Sequence, residues 1–342
     1  MQDLIIDSTM MIPHFKHLIK NSLYYSYDIN KLKLIWNGGE DNNNFLLKYG
    51  FDRDIEISDI NNYLEQGNKF NNIYFGISIL STQLQHQGQG YKPWVKMYVE
   101  LYEEFKNAFT GKMIIVDHHD GDYEPTQFLN QLEITHDIVL KRVYSCSQQN
   151  KYNEKTFSYP FTMTTNNDPL YPLLSKNIEY RDTDDKISKI IWCGNLFKHI
   201  DVWGDTNEVC NRIDIYNRIS KKYPEIIDSK KVPYHKFNNL LNSYKYILDL
   251  RGASRHNKRF LEGINTSSLI MAETIDIIWP FEDSDSFSPE CFFTNEDDLY
   301  EKIMTLENDN ELYEKCLNNQ IYIRNKYFTK EWLYNYIVKI IN

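Results

Sequence analysis

Apolar runs of strand length alternate with amphipathic segments of helix length along most of this chain. Residues 71–80 contain an apolar run, 94–109 carry apolar side chains at three-to-four spacing, and 113–116 are wholly apolar. Three-to-four spacing is typical of a helix with one buried face, whereas a short continuous apolar run is typical of a buried strand. Strands that alternate with helices favour a parallel sheet covered by helices. The sequence therefore predicts an α/β fold.

The alternation stops near Pro169 and Pro172 and then starts again. These two prolines stand among polar residues, a composition that indicates a linker or a crossing between domains. A length of 342 residues also favours two domains over one. We therefore predict an N-terminal domain over 1–170 and a C-terminal domain over 171–325. We also predict a last amphipathic helix within 326–342, which could pack against the first domain.

Charge and cysteine content exclude several classes of protein. The formal net charge is −10, with 38 basic and 48 acidic residues, which argues against a general nucleic-acid binder. Five scattered cysteines without a CxxC pair predict neither a disulfide framework nor a zinc site. The chain has no apolar run of about eighteen residues and no signal-like N-terminus. We expect a soluble cytoplasmic protein without a membrane span, and the sequence sets no oligomeric state.

The stretch 244–271 joins two predicted strands through a basic turn and a helix. Residues 246–250 are typical of a short buried strand, and Gly252 allows the backbone to turn after it. A helix is predicted from Phe260, followed by a second strand over 268–271. The basic residues after the first strand are Arg251, Arg255, Lys258 and Arg259.

This arrangement is typical of an anion-binding site. Backbone N–H groups and the helix dipole favour a phosphate at a helix start, and arginine can hold one through two parallel hydrogen bonds. Arg255 and Arg259 are four residues apart, so they would share one face of a helix. The alternative is a solvated basic helix face that is balanced by acidic neighbours.

A second candidate site is the sequence DHHDGD at 117–122, which follows the apolar run 113–116. In open α/β sheets, ligands gather at the carboxyl ends of the strands. A carboxylate there could take a proton from an acceptor hydroxyl. We favour Asp120 or Asp122 as this base, with His118 or His119 positioning a substrate. The same residues could bind a divalent metal, or the run could be only a polar turn.

The stretch 186–325 resembles the CAP10-like glycosyltransferases, the family of protein O-glucosyltransferases and capsule xylosyltransferases. It is also similar to exostosin-like transferases, which share an Arg-then-Glu helix after the same strand. The residues that match the family motif around the central strand are Tyr244, Lys245, Tyr246, Gly252, Ser254, Arg259 and the strand 268–271. Upstream, IIWCGN and NRIDIYNRI resemble a further family segment, with Gly194 and Arg212 as counterparts.

The resemblance implies a GT-B fold, in which two Rossmann-like domains face a central cleft and the C-terminal domain holds a nucleotide sugar. It implies that arginines neutralise the diphosphate leaving group, a role that a metal has in other enzymes. The expected donor is a UDP-sugar or a similar nucleotide sugar, without a resident cofactor or metal, and the acceptor is a hydroxyl of a glycan or a protein. The donor-binding residues would be Gly194, Arg212, Arg251, Gly252, Ser254, Arg255, Arg259 and Glu262.

The predicted reaction is an inverting sugar transfer with Asp120 or Asp122 as base and His119 beside it. Two alternatives stay open. The residues RHN lengthen the turn between Ser254 and Arg259, which is compatible with a protein that binds a nucleotide or a glycan without catalysis. A metal-dependent hydrolase that uses 117–122 is the other alternative.

Overall fold

The chain folds into two compact units, each built on one parallel sheet. In the computed structural model, the described residues are 1–7, 18–19, 21–26, 57–77, 93–117, 124–142, 144, 146, 150, 152–160, 185–194, 212–232, 236–250, 258–274 and 277–342. The first unit contains the described residues up to 160 together with Tyr334–Asn342, and the second contains those from 185 to 333.

The first unit has a six-stranded parallel sheet in the order β2-β1-β3-β4-β5-β6. Its strands are β1 (Asp3–Asp7), β2 (Ser22–Ser26), β3 (Ile73–Ile77), β4 (Met113–Asp117), β5 (Ile138–Lys141) and β6 (Thr156–Ser158). Its helices are α1 (Ile57–Glu65), α2 (Pro93–Phe105) and α3 (Pro125–Gln131). Every residue of β3, β4 and β5 is buried, as expected for interior strands of a parallel sheet covered on both faces.

Two helices of the first unit show why they form where they do. The buried side chains of α2 recur at helical spacing and pack into the core of the unit: Val95, Met97, Tyr98, Leu101, Tyr102 and Phe105. Helix α3 begins after Glu124, whose Oε1 accepts a 2.9 Å hydrogen bond from the Thr126 N–H. Pro125 occupies the first position of α3, where its missing N–H and fixed φ favour the helix.

The second unit has a five-stranded parallel sheet in the order β8-β7-β9-β10-β11. Its strands are β7 (Ile187–Trp192), β8 (Ile227–Ser229), β9 (Tyr244–Asp249), β10 (Leu269–Glu273) and β11 (Phe292–Phe293). Its helices are α4 (Arg212–Lys222), α5 (Phe237–Asn242), α6 (Lys258–Ile264), α7 (Glu296–Asn308) and α8 (Asn310–Tyr327), and α9 (Lys330–Ile341) follows as the last helix of the chain.

Both sheets share one topology, in which the first strand is interior and the second lies on one side of it. The third and later strands lie on the other side of the first strand. The direction in which successive strands are added to the sheet therefore reverses between β1 and β3 in the first sheet and between β7 and β9 in the second. This is the doubly wound, Rossmann-like arrangement, and it leaves a crevice at the carboxyl ends of the two strands that flank the reversal. The predicted fold class, with two Rossmann-like parallel sheets, is confirmed.

The sequence of 133–145 also predicts a pair of strands, and this prediction is wrong. Within its described residues the structure contains β5 alone, preceded by a turn. Glu133 adopts a positive φ of 57°, which ends α3 and cannot continue into a strand. The Asp137 carboxylate then accepts a 2.8 Å hydrogen bond from the Met113 N–H, which fixes where β5 begins.

Five short strands were not predicted at all: β1, β2, β6, β8 and β11. β1 and β2 lie in a mixed N-terminal sequence, and β6 lies where the alternation of strands and helices stops. β8 has only three residues, which is below the length at which a periodic signal can be recognised. The sequence also predicts a strand over 32–39 and a polar loop over 83–94. Residues 32–39 and 83–92 lie outside the described residues.

The end of α9 is anchored on the first unit. The Tyr336 hydroxyl donates a 2.6 Å hydrogen bond to the carbonyl of Ser158 at the end of β6, and Lys112 Nζ donates to the carbonyl of Ile341. Among the helices that the structure describes, none combines the length and the apolar character needed to cross a membrane.

Candidate functional site

The candidate site lies at the carboxyl edge of the second sheet, where the order of strand addition reverses. β7 ends at Trp192 and β9 ends at Asp249, and these two strands are hydrogen-bonded neighbours. Ligands of doubly wound sheets bind at this kind of reversal, because the loops that leave the two strands diverge to opposite faces and open a crevice. The predicted donor-binding residues follow these two strands in sequence.

Arg259, near the start of α6, is held in place on two sides. Its guanidinium carbon lies 4.2 Å from the centre of the Phe237 ring, and its Nη1 lies 3.3 Å from Oε2 of Glu262. The Arg259 side chain is 19% exposed, and that of Glu262 is 6% exposed. An aromatic face and a buried carboxylate together restrict the orientation of the guanidinium. Its charge is therefore placed in advance of any ligand.

The pair of Arg259 and Glu262 lies close to the end of β7. Burial raises the pKa of the Cys193 thiol to about 11, while the positive charge of Arg259 lowers it and the negative charge of Glu262 raises it. Cys193 directly follows Trp192, the last residue of β7. The charges of Arg259 and Glu262 on α6 therefore act on a side chain at the carboxyl end of β7. Arg259 and Glu262, both predicted donor-binding residues, therefore lie close enough to the end of β7 to act on Cys193.

Gly194 and Arg212 meet at Trp192. A Cβ atom on Gly194 would lie 2.7 Å from Cζ2 of the buried Trp192 ring, so only glycine fits against that ring without a shift. The guanidinium carbon of Arg212, the first residue of α4, lies 5.7 Å from the centre of the same ring. Two residues that are eighteen positions apart in sequence therefore contact one aromatic side chain at the end of β7.

Two residues of this region were missed by sequence reasoning. Asp249 was counted within the apolar run 246–250, yet it is a carboxylate with 1% exposure at the carboxyl end of β9. A charged residue inside an otherwise apolar strand was the signal that could have identified it, because buried carboxylates are rare without a specific role. Phe237 belongs to α5, and only the tertiary fold places its ring under Arg259.

The start of α6 differs from the prediction in a way that affects the chemistry. The helix begins at Lys258 and has only seven residues, about two turns. So short a helix aligns few peptide dipoles, and the guanidinium of Arg259 is the stronger attraction for an anion here.

Several predicted site residues cannot be placed, because they lie outside the described residues. Those from the turn before α6 are Arg251, Gly252, Ser254 and Arg255. Those from the predicted catalytic segment of the first unit are His118, His119, Asp120 and Asp122. Their roles stay predictions.

The residue that precedes this catalytic segment is described, and it belongs to a buried ion pair. Asp117 ends β4, and its Oδ2 accepts a 3.0 Å hydrogen bond from Nζ of Lys141 at the end of β5. Both side chains have 0% exposure. Asp117 and Lys141 are also register partners in the sheet, so the pair joins the carboxyl ends of two neighbouring strands. The carboxyl end of β4 is therefore fixed to the carboxyl end of β5.

Comparison with known proteins gives matches only among solved structures. No family model matches the sequence, and no curated protein matches it. The resemblance to CAP10-like and exostosin-like transferases therefore stays a prediction.

The chain is similar to two structurally characterised proteins over nearly its whole length. One is a glycosyltransferase from Rickettsia africae, with 11% identity, a TM-score of 0.53 and coverage of 99% of this chain and 97% of the other. The other is HepE of Anabaena in complex with UDP, with 9% identity, a TM-score of 0.52 and 99% coverage of both chains. HepE in complex with UDP and glucose gives 8% identity, a TM-score of 0.51 and coverage of 99% and 98%.

At such low identity the similarity shows the fold. Together with the two parallel sheets of like topology, it shows that this chain has the α/β fold of the GT-B glycosyltransferases.

Proposed function

We propose that the protein is a glycosyltransferase that moves a sugar from a UDP-sugar to a hydroxyl group of a glycan or a protein. The observation that carries this proposal is the placement of Arg259, whose guanidinium is held by Phe237 and Glu262 beside the strand reversal of the second sheet. The fold supports it, and HepE, which shares that fold, has been crystallised with UDP and with UDP and glucose. Whether the transferred sugar is a hexose or a pentose is decided by the panel of nucleotide sugars described below.

The second unit is proposed to hold the donor through its diphosphate. Arg259 supplies a fixed positive charge, and Arg251 and Arg255 from the preceding turn supply two more. A guanidinium binds phosphate oxygens through parallel N–H donors, which adds geometric specificity to the charge attraction. Glu262 acts as a positioning residue, since it is 3.3 Å from the guanidinium of Arg259 and is almost fully buried.

The transfer itself is proposed to be a single displacement. The acceptor hydroxyl oxygen forms a bond to the anomeric carbon and passes its proton to the carboxylate of Asp120 or Asp122, with His119 positioning a substrate. The bond from that carbon to the phosphate oxygen breaks, and its electrons leave with UDP. One such displacement inverts the anomeric centre. The arginines stabilise the charge that develops on the leaving phosphate, so no metal is required for that purpose.

The test compares two arginines of the second unit. Arg259→Ala is expected to weaken UDP binding by about tenfold to hundredfold, because a charged hydrogen bond contributes about 1.5–3 kcal/mol. Arg218→Ala is the matched control, since Arg218 on α4 is half-exposed and pairs with Glu296. Calorimetry with UDP measures both affinities. Equal affinities for Arg259→Ala and the unaltered protein would contradict the proposed donor site.

A second arm separates transfer from binding. Thermal shift against a panel of nucleotide sugars identifies the donor through the stabilisation that a bound ligand gives. With that donor, Asp120→Asn and Asp122→Asn are expected to bind normally, and loss of the base should stop turnover in one of them. Binding without any transfer or slow donor hydrolysis would favour a non-catalytic nucleotide-binding protein. Stoichiometric metal in the purified protein, lost when 117–122 is altered, would favour a hydrolase.

A further inference from the structure

An open pocket of about 540 Å³ lies in the second unit, beside the carboxyl end of β10. It is separate from the predicted donor residues in sequence, and its size is typical of sites for small organic ligands. The residues that matter for its chemistry are Trp279, Phe281, Asp285, Phe287, Phe292 and Lys302.

One wall of the pocket is a stack of aromatic rings. The ring of Phe260 on α6 stacks on Trp279 at a centroid distance of 5.3 Å, Trp279 stacks on Phe281 at 5.4 Å, and Phe281 stacks on Tyr327 at 4.2 Å. The interplanar angles are 29°, 16° and 26°. Trp279 and Phe281 are partly buried and line the pocket, so the parts of their rings that the stack leaves uncovered offer apolar surface to a ligand. Its rings are held by each other and need no rearrangement on binding.

Asp285 supplies a fixed hydrogen-bond acceptor at the same pocket. Its Oδ2 accepts hydrogen bonds from Lys326 Nζ at 2.7 Å, from the Tyr322 hydroxyl at 3.2 Å and from the Tyr327 hydroxyl. The bonds from Lys326 and Tyr327 hold the pKa of Asp285 below its usual range, so the group is ionised at neutral pH. All three bonds use Oδ2. Among the contacts of the described residues, Oδ1 is therefore available to accept from a ligand.

The charges around the pocket favour a neutral ligand. Glu282, Asp283 and Asp285 disfavour an anion such as a nucleotide phosphate. Lys326 pairs with Glu282 and Asp285, and Lys302 pairs with Asp298 at 3.4 Å, so a cationic ligand would compete with lysines already in place. The required ligand combines apolar C–H surface with hydroxyl donors.

We propose that this pocket binds a neutral saccharide, with sugar C–H groups against Trp279 and Phe281 and hydroxyls donating to Oδ1 of Asp285. The faces of these rings are stacked on one another, so a planar base finds no free face to stack on, and the sugar contacts the edges of the rings. Arg259 is not among the described residues that line the pocket, so saccharide binding here can be tested separately from the proposed donor site.

The experiment titrates the full chain, without nucleotide, with maltose, cellobiose, lactose and diacetylchitobiose, and follows ligand signals by saturation-transfer NMR. At least one disaccharide is expected to bind. Asp285→Asn is expected to weaken that binding by at least about tenfold, because a charged acceptor becomes a neutral amide. Asp297→Asn is the matched control, since Lys222 and Tyr223 hold Asp297 in the same way on α7, away from the pocket.

Phe281→Leu gives a second variant in case Asp285→Asn fails to fold, and it should also weaken binding by removing part of the aromatic wall. Arg259→Ala should leave saccharide binding unchanged, so failure of the pocket and failure of the donor site are distinguishable. No binding of any disaccharide, equal weakening by Asp297→Asn, or displacement of the bound sugar by uridine at this pocket would each overturn the proposal.

Discussion

The guanidinium of Arg259 lies over the ring of Phe237, at 4.2 Å from its centre. The two residues belong to different helices, since α5 precedes β9 in the sequence and α6 follows it. Phe237 is 8% exposed and packs in a small core with Ile191 and Ile247 of β7 and β9. The ring therefore has a fixed position relative to the sheet, and through it so does the charge of Arg259. This relationship determines where an anion can be held.

We expect Phe237→Leu to weaken UDP binding, but by less than Arg259→Ala does. Leucine keeps apolar contact with the core and loses the aromatic face, whose attraction for a guanidinium is about 0.5–2 kcal/mol. Calorimetry on both single variants and on the double variant measures the coupling. The effects should be less than additive, because Phe237 acts through Arg259. Full additivity would show that the ring does not position the guanidinium.

Gly194→Ala should lower the free energy of unfolding by about 1–3 kcal/mol, since the new methyl group would overpack against the buried Trp192 ring. The displaced ring should also change the near-ultraviolet circular dichroism spectrum. Gly67→Ala is the comparison, because Gly67 has a φ of 76° and open space around its Cα. Its cost arises from backbone strain of about 1–2 kcal/mol, without a change in the aromatic spectrum. An unchanged spectrum for Gly194→Ala would contradict the contact.

The buried pair of Asp117 and Lys141 should be essential for the stability of the first unit. Asp117→Asn or Lys141→Met leaves one charge without its partner in the interior, which costs about 3–5 kcal/mol. Denaturant unfolding measures this loss. Lys189→Met is the control, because Lys189 and Asp228 form a looser pair at 3.6 Å with side chains 38% and 31% exposed. That exposed pair should contribute only about 0–1 kcal/mol. Similar losses in both pairs would contradict a special role for burial.

Cys193 should resist alkylation at neutral pH. Burial raises the pKa of its thiol to about 11, so roughly one thiol in a thousand is ionised at pH 8. The exposed Cys146 should react with iodoacetamide before Cys193 does, as followed by peptide mass spectrometry. Labelling of Cys193 should rise as the pH approaches 11, because deprotonation creates the nucleophile. Rapid labelling of Cys193 at pH 7 would show that this strand end is open to solvent.

Strong periodicity was sufficient to predict the long helices and the buried interior strands. The helix predicted from 94 is α2, the wholly apolar run 113–116 is β4, and the segment before Pro224 is α4. In each case enough residues follow the apolar pattern of a helix or of a buried strand for the element to be recognised in the sequence. Short strands such as β8 and the edge strand β6 lack that repetition, because three residues show no period.

Several residues of the candidate site were named from the sequence, and their roles stay predictions. Arg259, Glu262, Gly194 and Arg212 were named from the sequence, and the structure brings the first two together and places the other two on one tryptophan. Phe237 was missed because it looks like an ordinary core residue in sequence, and Asp249 was missed because it was counted within the apolar run 246–250. Their significance depends on what lies beside them, and a linear pattern does not contain that information.

The sequence by itself determined the α/β class and the basic stretch that follows the strand 246–250, because local periodicity and local charge are properties of neighbouring residues. Only the tertiary structure decided the strand order, the reversal between β7 and β9, and the contacts of Arg259 with Phe237 and Glu262. The physical reason is that hydrogen-bonded strands and packed side chains join residues that are distant in the chain. Which of the many possible partners meet is fixed by the packing of the whole unit.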